Sequence, residues 1–439
     1  MQKHLYIETW GCQMNRHQSE GIAGLLEEHG LFLTDSLALA DVVIFNTCMV
    51  RQKAEEKVYG RIGAIVEQKK KRPVLLGIGG CMPQVHGESL LRRFPAIDFL
   101  FGSSDLAALP SLIDEIEGRK GRIAHLPSPI GIDEVPFRRE SMVTAMVTIT
   151  QGCSNSCSYC IVPRACGPLR SRPAERIVAE VNGLLTAGCR EVLLLGQNAD
   201  SYGRDRPEFG DFAGLLAQVA ATEIPRIRFT SSHPRDMTEQ VIETIAAHGN
   251  ICNHIHLACQ SGSDRILQAM NRGYTCDQFL TIVNAAQRMI PEVNITTDLI
   301  VGYPGESESD FCDTVRLIEE VRFGSIFVAT YSPRPGTHSA TLSDDVAPVV
   351  KGERLQEILS RQRAIAFEEN LRQIGQTVTV LILGRTAKGA FYGRSEDHRT
   401  VIISGDVEIG EFVPVRIETA SAAALVGQPA VLSTVKGAR

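Results

Sequence analysis

Through residues 1–125, short apolar runs alternate with longer amphipathic stretches. His4–Thr9 follows the strand period, Ser19–His29 reads as a helix stopped at Gly30, and Asp41–Asn46 is an apolar strand. A charged helix follows over Arg51–Lys70, then an apolar strand at Val74–Ile78, with short helical signals continuing to Gly118. Short apolar strands between amphipathic helices predict an α/β fold with an open parallel sheet. Residues 126–141 carry three prolines and mixed charge and read as a linker. The alternation then resumes, with strands expected at Met142–Thr150, Glu191–Leu195, Arg226–Phe229, His254–Leu257, Ile295–Val301 and Ser325–Thr330. Polar or Gly/Pro-rich segments follow these strands, as at the C-terminal rim of a barrel, and six such units predict a partial (β/α)6 barrel over 142–371. Val349–Leu371 reads as a charged helix on its outside. Thr377–Leu383, Ala390–Arg394, Thr400–Ile403 and Phe412–Thr419 are short β segments broken by Gly and Asp, predicting a small all-β barrel over 372–439.

Composition narrows the class. The 439 residues are 44% hydrophobic and 22% charged, ordinary for a soluble protein of several domains. No apolar run reaches the ~18 residues of a membrane span. Met1-Gln2-Lys3-His4 leads directly into a strand, so no signal or transit peptide is expected. A net charge of −6 does not advertise a nucleic-acid binder, but local basic patches, not net charge, contact phosphates. In the last segment Arg385, Lys388, Arg394, Arg399 and Arg416 interleave with Phe391, Tyr392 and His398, which suits an RNA-binding face and equally an ordinary solvated surface.

The cysteines carry the chemistry. There are 12, too sparse for a disulfide scaffold and partly in metal-type spacing, which points to a reducing cytoplasm. Cys153, Cys157 and Cys160 form a C-x₃-C-x₂-C array with Tyr159 before the last. Three thiolates can hold three corners of a 4Fe–4S cube and leave its fourth iron open. The competing reading is a zinc site with Cys166 as fourth ligand. Cys12, Cys48 and Cys81 each follow an expected strand, where open α/β sheets bind ligands, so a second three-thiolate cluster is expected there. Each alone is more often a buried hydrophobe. Gly11, Gly79 and Gly80 would let the backbone approach an inorganic core. Cys189, Cys252, Cys276 and Cys312 read as packed small hydrophobes.

The Cys153–Cys160 array resembles that of the radical S-adenosylmethionine (SAM) enzymes. With Glu8–Asn15 (ETWGCQMN), Asn46–Arg51 (NTCMVR) followed by Lys53-Ala54-Glu55, Arg226–Asp236 (RIRFTSSHPRD) and Tyr331–Thr337 (YSPRPGT), the whole chain resembles the radical SAM methylthiotransferase family. That resemblance implies an N-terminal methylthiotransferase domain, a radical SAM core and a C-terminal TRAM domain. It implies SAM and two 4Fe–4S clusters as cofactors, the SAM-cleaving one on Cys153, Cys157 and Cys160 and a sulfur-carrying one on Cys12, Cys48 and Cys81. Tyr159, Gln197, Asn198, Ser231, His233, Gln260 and Asp298 become candidate SAM or substrate contacts by position. Asp298 equally suits a loop cap, and Arg334 suits either an anion or a surface ion pair. The implied partners are a tRNA anticodon stem-loop, an electron donor such as flavodoxin or ferredoxin, and a sulfur donor, with no membrane and a monomeric chain. Three subgroups divide the family. One modifies isopentenyladenosine beside the tRNA anticodon, one threonylcarbamoyladenosine at the same place, and one an aspartate of a small-subunit ribosomal protein. The quoted stretches favour the first. Arg164, Cys166, Pro168-Leu169 and Ala258-Cys259 depart from its pattern, and the run Pro168–Arg172 leans toward the second. A non-catalytic, redox-sensing iron–sulfur RNA binder would use the same domains.

Overall fold

The structure is a computed structural model that describes residues 2–49, 52–118, 121–128, 132 and 134–430, without the side chains of 52–54. Arg51, the side chains of Lys53 and Ala54, part of the expected linker and residues 431–439 therefore lie outside the described residues. The N-terminal sheet has six parallel strands: β1 (Lys3–Trp10), β2 (Leu31–Leu33), β3 (Val42–Thr47), β4 (Leu75–Gly80), β5 (Phe99–Phe101) and β6 (Ile123–His125), in the order β2-β1-β3-β4-β5-β6. Apolar side chains of β3, β4 and β5 are buried on both faces, as a helix-covered parallel sheet requires. Trp10, Thr47 and Gly80 are register partners at the ends of β1, β3 and β4. Three neighbouring strands thus finish at one level.

The central region continues with β7 (Thr144–Thr148), a short antiparallel pair β8 (Thr150–Gln151) and β9 (Arg170–Ser171), then β10 (Glu191–Leu195), β11 (Arg226–Phe229), β12 (His254–His256), β13 (Asn294–Val301) and β14 (Ser325–Thr330). β7, β10 and β11 pair in parallel, as do β12, β13 and β14. Parallel bridges Ile227–Ile251 and Ser232–Leu257 join the two triplets into a six-stranded partial barrel. Ala145, Val147, Val192, Ile227, Ile255, Leu299 and Ile326 point outward into the core shared with the surrounding helices. Their sequence neighbours face the barrel interior.

The C-terminal barrel is closed by β15 (Thr377–Arg385), β16 (Phe391–Ser395), β17 (Thr400–Ile403), β18 (Phe412–Ala420) and β19 (Leu425–Pro429). It docks on the N-terminal mouth of the partial barrel, away from the rim. Arg228 Nη2 donates to the Ser395 carbonyl at 2.7 Å, and Asn294 Nδ2 donates to the Asp397 carbonyl at 2.6 Å. The His254 ring lies 4.7 Å from that of His398. Glu191, Arg226, His254 and Asn294 are the first residues of their strands, so the Ser395–Arg399 turn plugs that end.

The N-terminal sheet meets the barrel at its rim. Helix Val162–Cys166 packs on helix Cys81–His86, and Ile161 enters the N-terminal core. Gln151 Nε2 donates to the Ser103 carbonyl at 2.8 Å, and Ser103 Oγ to that of Ala165 at 3.2 Å. Residues 134–140 are a packed strap, not a free tether. Phe137 stacks on His17 at 4.4 Å, and Arg139 reaches both Glu20 and Glu180.

Candidate functional site

At the sheet end, Cys12 caps the N-terminus of helix Gln13–Glu28, Cys48 follows β3 and Cys81 opens the helix after β4. A buried polar network fixes their spacing. Asn15 Nδ2 donates to Asn46 Oδ1 and the Thr47 carbonyl, both at 3.3 Å. Asn46 Nδ2 donates to the Asn15 carbonyl at 2.8 Å and Ser19 Oγ at 2.9 Å, and Thr47 Oγ1 donates to the Gly79 carbonyl at 2.7 Å. A Cβ on Gly11 would lie 2.1 Å from Asn15 Oδ1 and 2.9 Å from Cys48 Cβ, so glycine there admits both. The other two glycines have a different reason from the one expected. A Cβ on Gly79 would lie 2.0 Å from the Phe101 ring, and one on Gly80 would lie 2.5 Å from the Thr47 carbonyl. Both answer to packing within the sheet.

The Cys153–Cys160 loop is held from below. Ser158 N–H donates to the Met270 carbonyl at 3.0 Å, and Ser158 Oγ lies 2.8 Å from the Tyr303 hydroxyl. Asn271 Nδ2 donates to the Ser156 carbonyl at 2.8 Å. Arg272 Nη1 lies 3.4 Å from both Cys157 Sγ and the Tyr159 hydroxyl. Burial, with the neighbouring thiols adding, pushes the Cys160 thiol up to about 12 and raises Cys153 as well. Three thiolates in this loop therefore suit a positively charged iron core, which offsets their mutual repulsion. Among the described residues, no three or more His, Cys, Asp or Glu side chains are set to share a single metal ion.

The two groups border the same domain junction, with Cys153 N–H donating to the Gly167 carbonyl next to Cys166 at 3.1 Å. Cys166 Sγ lies 3.7 Å from Cys81 Sγ, not on the Cys153–Cys160 loop where a zinc site would need it. Arg334 is buried close to Glu55 and Cys48, so the Tyr331–Thr337 turn leans over the same junction and its surface ion-pair reading falls away. Cys189 and Cys252 are buried as expected, whereas Cys276 is half-buried and Cys312 exposed.

At the rim, four oxygens are buried without a hydrogen-bond partner among the described residues: Thr150 Oγ1, Gln197 Oε1, Asn198 Oδ1 and Asp200 Oδ2. They follow β7 and β10. Such orphaned acceptors in a native fold call for a ligand or water, and SAM offers ammonium, adenine amino and ribose hydroxyl donors. Asn198 Nδ2 donates to Asp236 Oδ2 at 2.5 Å, and Ser232 Oγ to Asp200 Oδ1 at 2.9 Å. Ser231 and Gln260 take left-handed φ of 67° and 73° at the ends of β11 and β12, a backbone strain of about 1–3 kcal/mol each. Burial, then the Arg272 charge, lowers His233 to about 3, so it is neutral at physiological pH. Asp298 is not a loop cap. It lies within β13, facing the interior, with Oδ2 3.1 Å from His256 Nε2. Asp200 and Arg272 were not among the expected site residues, since a buried acid and an arginine after a turn leave no periodic signal.

Asp200 supplies a pH test. Burial raises its carboxyl to about 8, against an ordinary value of 3.8. It is protonated when folded and ionised when unfolded between those limits, so stability falls as pH rises through the window. A shift of that size is worth on the order of 5 kcal/mol. Asp200→Asn should raise the SAM-free thermal midpoint at pH 8, have little effect near pH 4, and flatten the pH slope between. Equal slopes in the two proteins would contradict this.

The four basic candidates do not share one face. Arg385 stacks over Phe391 at 3.7 Å and Lys388 is exposed in the β15–β16 turn. Arg394 and Arg399 lie at the opposite end of that hairpin, by the domain junction. Arg394 Nη1 donates to the His398 carbonyl and Thr400 Oγ1, and Arg399 pairs with Asp397 at 3.1 Å.

Family models match this layout: Radical SAM superfamily over residues 147–318, Uncharacterized protein family UPF0004 over 4–102, and TRAM domain over 371–430. A tRNA-2-methylthio-N(6)-dimethylallyladenosine synthase of Pelotomaculum thermopropionicum is 42% identical over 97% of this chain and 97% of its own length. The chain belongs to the radical SAM methylthiotransferase family, in its tRNA-2-methylthio-N(6)-dimethylallyladenosine synthase group. The synthase of Carboxydothermus hydrogenoformans is also 42% identical, over 95% of this chain and 97% of its own. Among solved structures, the radical SAM methyltransferase TsrM of Kitasatospora setae shares the fold at 15% identity, with TM-score 0.58 over 77% of this chain and 74% of its own. Family membership implies a 4Fe–4S cluster and SAM, and the three-thiol loop with its orphaned acceptors fits both. Among the described residues no helix is long and apolar enough to cross a membrane.

Proposed function

We propose that the protein inserts a methylthio group at carbon 2 of N6-dimethylallyladenosine beside the tRNA anticodon, in the cytoplasm. The observation that carries this reading is the approach of two three-cysteine groups to one junction, where Cys81 touches Cys166 just beyond the Cys153–Cys160 loop. Cys153, Cys157 and Cys160 would hold one cluster, and Cys12, Cys48 and Cys81 a second. When bound, these clusters and SAM supply the radical that removes hydrogen from an aromatic carbon, together with the sulfur and methyl that replace it.

The chain's own residues do the positioning. Arg272 and Tyr159 steady the Cys157 sulfur. Gln197 and Asn198 take SAM's donors, Asp200 offers a carboxyl beside them that can donate or accept, and the strained Ser231 and Gln260 shape the rim around it. Arg385 and Lys388 suit the RNA backbone, whereas Arg394 and Arg399 serve the domain junction.

With anaerobically reconstituted protein, SAM, a reductant and tRNA carrying dimethylallyladenosine, 5′-deoxyadenosine and the methylthio nucleoside should both appear. Formation of neither would favour a non-catalytic RNA binder. Replacing Arg385 and Lys388 together with Ala should lessen the dependence of log Kd on log salt by roughly 1.5 in slope. An unchanged slope removes that turn from the RNA interface.

A further inference from the structure

The interior of the partial barrel holds an ion pair at its plugged end and a mix of apolar and polar side chains higher up. Near the plug lie the buried Glu191–Arg228 pair and His254. Toward the rim, Met146 and Leu193 are register partners on the inner face of β7 and β10, both half-buried. Across the interior, on the edge strand β14, stands Phe327. It pairs with Asp298, so it shares that residue's inward face, while Ile326 and Val328 turn to the helix-covered core. Its ring stands edge-on to His256, 5.7 Å between centroids, and the residue is still 52% exposed. Ala329 and Thr330, next along the strand toward the rim, are also exposed. Asp298 beside it is 40% exposed. An aromatic that faces a barrel interior, with small residues above it, leaves room for a flat group that enters from the rim.

Register sets how deep it lies. Ala329 pairs with Ile300, and Ile300 packs in the cluster that contains Tyr159 of the cysteine loop. Phe327 is two residues farther in, roughly 7 Å along the strand. A nucleoside whose reacting carbon sits near the loop would reach Phe327 with the tail on its N6. On adenine carbon 2 and carbon 6 flank N1, and the C6–N6 bond is turned away from the C2–H bond, so a five-carbon tail on N6 extends away from the loop.

Resting on the function proposed above, we infer that Phe327 is a specificity-determining residue that packs against the dimethylallyl-bearing side of the target adenine. A branched apolar tail gains from contact with the Phe327 ring. A substituent with its own carboxylate would lose its hydration there and meet the Asp298 carboxylate beside that ring. Phe327 touches substrate and takes no part in moving electrons or protons.

The test is binding of the cluster-loaded, full-length protein to anticodon stem-loops with and without the dimethylallyl group, at equal salt. Wild type should favour the prenylated stem-loop by roughly tenfold or more, the size of one aromatic or apolar contact. Phe327→Ala should bind both alike, at wild-type affinity for the unmodified one, with circular dichroism and iron content unchanged. Phe327→Trp gives a second readout, because the chain has one other tryptophan, Trp10. Its added emission should be quenched by the prenylated stem-loop far more than by the unmodified one. Preference retained in Phe327→Ala, or no selective quenching in Phe327→Trp, overturns the inference. Wild type that methylthiolates prenylated tRNA without any binding preference overturns it too. Wild type that neither prefers nor modifies prenylated RNA sinks the underlying function instead.

Discussion

Cys48→Ala should abolish methylthio transfer while SAM cleavage to 5′-deoxyadenosine stays measurable, with iron falling from about eight to about four atoms per chain. Cys48 is the middle thiol of its group, on the strand flanked by those that present Cys12 and Cys81, and it is 4% exposed. Its Cβ sits against Gly11, so alanine fits the space and removes only the sulfur. The Cys153–Cys160 loop is anchored elsewhere, through Ser158, Asn271 and Arg272 to the 269–272 segment and Tyr303. The two groups are thus separately built, and one can fail alone. Loss of both activities, or iron unchanged at about eight, would show that the two groups are not the independent holders described here.

Arg228→Met should destabilise the protein by about 3–5 kcal/mol. Arg228 Nε lies 2.8 Å from Glu191 Oε2, with side chains 4% and 5% exposed. Its other donors hold the Ser395 and Glu396 carbonyls of the plugging turn. Removing the guanidinium strands a buried carboxylate and unlatches the C-terminal barrel together. The thermal midpoint should fall by about 10 °C, and proteolysis between the helix Pro348–Leu371 and β15 should quicken. The double change Arg228→Met with Glu191→Met should recover most of the loss, since a well-packed apolar pair often replaces a buried ion pair without penalty. A double variant no better than the single would mean that the latch, not the stranded charge, dominates.

The two larger domains were legible because most of their strands are apolar, four or more residues long and bounded by turn residues. β2, β5 and β6 were missed; at three residues each they are too short to show a period, and the equally short β12 was legible through the polar turn Gln260–Ser263 that follows it. The first helix starts at Gln13, six residues before the expected Ser19, because its opening turns bury Asn15 and His17. Buried polar residues hide a helix from any reading based on apolar spacing. The fifth strand of the C-terminal barrel, Leu425–Pro429, is interrupted by Gly427, which makes room for the Arg416 backbone. At the site, the C-x₃-C-x₂-C spacing singled out Cys153, Cys157 and Cys160, and the ends of expected strands singled out Cys12, Cys48 and Cys81, which the fold presents from three neighbouring strands. The orphaned acceptor on Asp200, the Arg272 contact to Cys157 and the inward turn of Phe327 depend on which elements become neighbours. The basic residues of the last domain misled for the same reason. Arg394 and Arg399 resemble Arg385 in the sequence, but the docked turn draws them toward the partial barrel.

The most direct test of the whole account is the nucleoside profile of tRNA from cells lacking this protein. The account predicts that 2-methylthio-N6-dimethylallyladenosine disappears and its unthiolated precursor accumulates, while the methylthio derivative of threonylcarbamoyladenosine is unchanged. Persistence of the first nucleoside with loss of the second would contradict it.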